Sequence, residues 1–72
     1  MATMQEMVSA VKAHAAQNYE RDGWDYAVEC YSDADLVELI GKCRTVGGAI
    51  KAVGRVMKDK GDYRADIQAT AW

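Results

Sequence analysis

The stretch SDADLVELIGKCRTVGGAIKAVGRVMKDK, residues 32–60, decides the fold. Ser32 stands as an N-cap before Asp33 and Asp35, which place carboxylates in the first turn where the helix dipole favours them. Leu36, Val37, Leu39 and Ile40 follow as the strongest apolar cluster of the chain, and Gly41 with the basic Lys42 and Arg44 reads as a helix end. Thr45 then caps a second helix whose apolar stripe is Val46, Ile50, Val53 and Met57, with Ala49 and Val56 beside it. The pattern predicts helices over about 33–42 and 46–60. Gly47, Gly48 and Gly54 each cost such a helix roughly 1 kcal/mol relative to alanine, which points to close approach of another backbone or to a kink.

Working outward toward the N-terminus, Thr3 and Glu6 form a capping-box signature. Met4, Met7, Val8, Val11, Ala15 and Tyr19 recur at three- and four-residue steps, predicting a helix over about 4–19. The segment from Trp24 to Tyr31 fits two patterns: Trp24, Tyr26, Val28 and Cys30 alternate as in a strand, while Trp24, Ala27, Val28 and Tyr31 share a helical face. No other segment offers a strand partner, so a short helical or irregular connection is expected. On the C-terminal side, Gly61 is read as a helix end and Asp62 as the cap of a short helix over 63–70, with Tyr63, Ile67 and Trp72 folding back on the core. The expected fold is all-α: a small three-helix bundle with a short C-terminal fourth helix, in one domain over residues 1–72. The pairing of its second and third helices loosely resembles a helix-turn-helix.

A chain of 72 residues has a modest core, and self-association is one way to relieve its marginal stability. It carries no apolar run near the roughly 20 residues of a membrane span and no basic, apolar leader, so a cytoplasmic protein is expected. Cys30 and Cys43 then read as small buried hydrophobes, and their spacing with His14 matches no zinc motif. In size, acidity and lack of a catalytic motif, the chain is similar to the small accessory proteins that phages and mobile elements encode.

Charge is divided along the chain. Residues 1–40 sum to about -6 and residues 41–72 to about +4, although the net charge is only -2. Trp24, Asp25, Tyr26, Glu29 and Tyr31 place aromatic anchors inside an acidic rim, the composition of a surface for a basic protein partner or for a second copy of the chain. The aromatics are equally suited to filling a small core. Lys42, Arg44, Thr45, Lys51, Arg55 and Lys58 form the alternative, a nucleic-acid surface in which the basic helix enters a DNA groove and the Thr45 helix start receives a phosphate. The acidic net charge and the lack of a base-reading Asn or Gln on that helix weigh against it.

Neither Asp33 with Asp35 nor Cys30 with His14 matches a known catalytic arrangement, and no nucleotide, hydrolase or metalloprotease fingerprint is present. The expectation is a non-enzymatic binding protein with no cofactor, no metal and no small-molecule substrate.

Overall fold

The computed structural model describes residues 1–70, and the side chains of residues 1–61. Four helices follow one another: α1 Met4–Gln17, α2 Trp24–Glu29, α3 Asp33–Ile40 and α4 Val46–Thr70. The architecture is an all-α helical bundle.

Local chemistry sets the helix starts. Thr3 Oγ1 accepts from the Glu6 amide at 3.1 Å while Glu6 Oε1 accepts from the Thr3 amide at 3.2 Å. Ser32 and Asp35 repeat this box at α3, with 3.2 and 3.0 Å bonds, and Thr45 Oγ1 accepts from the Gly48 amide at 3.0 Å to open α4. Each satisfies amides that a helix start leaves without a partner. At the end of α1, the Asn18 amide donates to His14 and Ala15, and its side chain donates to the His14 carbonyl at 2.9 Å. A tight turn follows in which Asp22 and Gly23 both take positive φ, 49° and 75°.

Three contacts give the topology. The Ala2 amide donates to the Arg44 carbonyl at 3.0 Å, so α1 and α4 begin at the same end. The Asp22–Gly23 turn beyond α1 lies against Met57 and Gly61, more than two turns along α4, so these two helices run in the same direction. α3 runs against α1: Lys12 pairs with Asp33 at 2.9 Å, whereas Val37, one turn later, shares a groove with Met4 and Val8. α2 and α3 are thus the return path between two parallel helices.

The core is Met7, Val8, Val11 and Ala15 from α1, Trp24 and Ala27 from α2, Leu36 and Ile40 from α3, and Ala49, Val53 and Met57 from α4. The α4 stripe is turned slightly from the one expected: Ala49 is fully buried, while Val46 and Ile50 are half-buried flanks. Val37 is 40% exposed and Leu39 half-buried, so only the first and last members of the α3 apolar cluster reach the centre.

Of the two forms expected for the connection from Trp24, the chain takes the short helix, with Trp24 and Ala27, three residues apart, both in the core. Other expectations need correcting. Gly61 does not end α4. The helix runs through it, and the missing side chain lets the Gly23 backbone approach: a Cβ on Gly61 would stand 2.9 Å from the Gly23 nitrogen. Gly54 serves the same packing, since its Cβ would lie 3.2 Å from the Trp24 ring. Residues 63–70 are helical as a continuation of α4 and not as a separately capped element. The expected return of Tyr63, Ile67 and Trp72 to the core lies outside the described side chains. Cys30, read as a buried hydrophobe, is exposed just past α2; Cys43 is half-buried against the core.

Candidate interaction surfaces

The aromatic segment divides between core and surface. Trp24 retains 5% exposure and meets the His14 ring edge to face, with centroids 4.7 Å apart and planes at 69°. Its burial follows from its position at the start of α2, immediately after the turn that presses on α4. Asp25, Tyr26 and Tyr31 are half-buried, and Glu29 is exposed. Tyr26 and Tyr31 also pack against the core, leaving their outer parts at the surface. Among the residues proposed from sequence as a protein-binding group, Trp24 is therefore a core side chain, and the other four reach solvent to different degrees.

The exposed valines were not singled out from sequence. Val28 is 48% and Val37 40% exposed, and both lie within the acidic segment that carries Glu20, Asp22, Asp25, Glu29, Asp33, Asp35 and Glu38. Each stands one position from a core residue, Ala27 and Leu36 respectively, at the edge of its helix's buried stripe. Helical phase was the available signal, but a one-position margin is too narrow to read without knowing the neighbouring helix.

Val37 also lines a groove of 380 Å³ between α1 and α3. Met4 and Val8 add apolar surface, and Gln5, Ser9, Lys12 and Asp33 contribute polar groups. The Lys12–Asp33 ion pair in this lining has side chains 53% and 69% exposed, so water screens it.

The basic residues occupy a different place. Lys51, Arg55 and Lys58 are all exposed on α4, within about 60° of one another on its helical wheel and opposite Ala49 and Val53. Among the described residues none of the three enters an ion pair. Lys42, Arg44 and Thr45 are exposed in the α3–α4 connection. Thr45 already occupies the Gly48 amide, which removes one of the donors a phosphate would use at that helix start.

Among the described residues no three His, Cys, Asp or Glu side chains gather where they could hold a metal ion. No helix of the described residues is long and apolar enough to cross a membrane. No protein-family model matches the chain, and neither a curated protein nor a solved structure shows significant similarity to it.

Proposed function

We propose that this chain is a small non-catalytic binding protein whose acidic α2–α3 segment recognises another protein surface of basic and apolar character. The observation that supports it most is the placing of Val28 and Val37, exposed aliphatic side chains among the acidic residues 20–38. An apolar contact surrounded by charge is the usual composition of a recognition surface: the apolar part supplies desolvation and the carboxylates select a basic partner. With Trp24 in the core, the contact group is Asp25, Tyr26, Val28, Glu29 and Tyr31, extended by Val37 and Glu38 of α3.

A second reading is carried by the outward stripe Lys51, Arg55 and Lys58, which presents three cations that enter no ion pair among the described residues. In that reading α4 enters a nucleic-acid groove and Lys42 and Arg44 meet phosphates. It ranks second because α3, the helix paired with α4, exposes Asp33, Asp35 and Glu38 and carries no cation. Those carboxylates repel the phosphate backbone that the first helix of such a pair approaches.

An isotope-edited amide spectrum separates the two. Titration with a synthetic peptide of alternating lysine and leucine is expected to move α2 and α3 resonances. Titration with a mixed-sequence duplex at low salt is expected to leave residues 44–58 in place. Salt-sensitive shifts of 44–58 with the duplex, and none of α2 and α3 with the peptide, would reverse the ranking.

A further inference from the structure

Resting on the protein-binding reading above, we infer that the partner is a second copy of this chain, the cationic stripe of α4 in one protomer meeting the acidic α2–α3 segment of the other. Both halves of a complementary pair exist on one chain. Glu29 and Glu38 are exposed, as are Lys51, Arg55 and Lys58, and among the described residues none of these five enters an ion pair. The stripe projects from the side of α4 opposite the residues that face α1, α2 and α3, so within one protomer its acidic neighbours are those of α4 itself, Asp59 one turn after Arg55 and Asp62 one turn after Lys58, and not Glu29 or Glu38. The acidic α2–α3 segment and the cationic stripe therefore meet between molecules in this proposal.

Two-fold symmetry then makes each contact twice, stripe to segment and segment to stripe, so that two like-charged stripes need not oppose each other. The net charge of -2 leaves little overall repulsion between copies. Val28 and Val37 gain cover in such an assembly, which adds buried apolar area to a chain whose own core is small.

The symmetry supplies a stringent test. One variant carries Lys51→Glu, Arg55→Glu and Lys58→Glu; the other carries Glu29→Lys and Glu38→Lys. All five positions are exposed and outside the helix caps, and circular dichroism verifies that each variant folds; glutamine replacements serve wherever a reversal does not. Sedimentation of the wild-type chain at low salt is expected to give a mass rising to twice the monomer and returning to the monomer as salt is added. Each reversed variant alone is expected to be monomeric. An equimolar mixture is expected to recover the dimer, because the native acidic segment of the first meets the native stripe of the second and the two reversed surfaces also match. A wild-type chain that remains monomeric, or folded variants that remain monomeric when mixed, overturns the inference. If the monomeric chain still shows α2 and α3 shifts with the lysine–leucine peptide, the protein-binding reading survives without self-pairing. If it shows none, both fall.

Discussion

Gly23 and Gly61 meet backbone to backbone. A Cβ on Gly61 would stand 2.9 Å from the Gly23 nitrogen and 3.2 Å from the Asp22 carbonyl carbon, while a Cβ on Gly23 would collide with the carbonyl oxygen of Met57. Gly23 also holds φ at 75°, in the left-handed region where side chains are strained. The pair therefore joins the turn after α1 to the second half of α4 at a distance no other residue type permits.

This relationship reverses the usual sign of a glycine substitution in a helix. Gly61→Ala is expected to destabilise the protein by about 1–3 kcal/mol through overpacking against backbone. Gly47→Ala, whose Cβ would meet nothing within 4 Å, is expected to be neutral or to stabilise by at most about 1 kcal/mol. Urea midpoints of the two variants at unchanged slope provide the comparison. A stabilising Gly61→Ala would mean that the turn does not rest on α4.

Truncating Trp24 should act on folding before it acts on binding. Trp24→Ala is expected to cost about 3–5 kcal/mol, a large share of a stability that for natural domains is roughly 0.05–0.15 kcal/mol per residue. Loss of cooperative thermal unfolding would follow. An unchanged transition with weakened partner capture would instead place the indole at the surface.

The core differs in depth along α3 and α4, and stability should follow it. Leu36→Ala and Val53→Ala remove fully buried side chains, and the leucine truncation is expected to cost about 2–5 kcal/mol. Leu39→Ala and Ile50→Ala, at half-buried positions, are expected to cost less, below about 2 kcal/mol. Equal losses at Leu36 and Leu39 in denaturant titrations would contradict the observed phase of α3.

Helix caps and the exposed ion pair should separate cleanly. Ser32→Ala removes one side of a reciprocal capping box and is expected to cost about 1 kcal/mol. Lys12→Ala, which breaks the exposed pair with Asp33, is expected to cost less than about 1 kcal/mol and to lose even that at high salt. A larger effect for Lys12 than for Ser32 would show that the pair holds α3 on α1 more firmly than its exposure allows.

What could be read without coordinates was local. Thr3, Ser32 and Thr45 cap their helices because an N-cap needs only a hydroxyl and an amide three residues on. Apolar spacing found the buried sides of the helices but favoured Ile50 over Ala49, since a small side chain at the closest point of contact carries little weight in a pattern of hydrophobicity. Gly61 misled for a different reason. A helix terminator and a close-packing site look alike in a single segment, and the backbone that tells them apart belongs to Gly23, 38 residues earlier in the chain. Of the candidate surface residues, Glu29, Lys51, Arg55 and Lys58 are exposed, as charged side chains usually are, whereas the division of Trp24 from Tyr26 and Tyr31 depends on the turn angle after α1.

The hydrogen bond from Ala2 to Arg44 bears on how the chain reaches this state. Parallel α1 and α4 share the most extensive helix contact, and it joins segments separated by the whole of α2 and α3. Neighbouring helices cannot assemble that interface by successive hairpins; its loop must close before it is rewarded. Synthesis from the N-terminus therefore delays the core until α4 is available, and a fragment ending at Thr45 would have lost Ala49, Val53 and Met57 from its interior. Such a chain should reach its native state in one late, cooperative step, with the first three helices only loosely held beforehand.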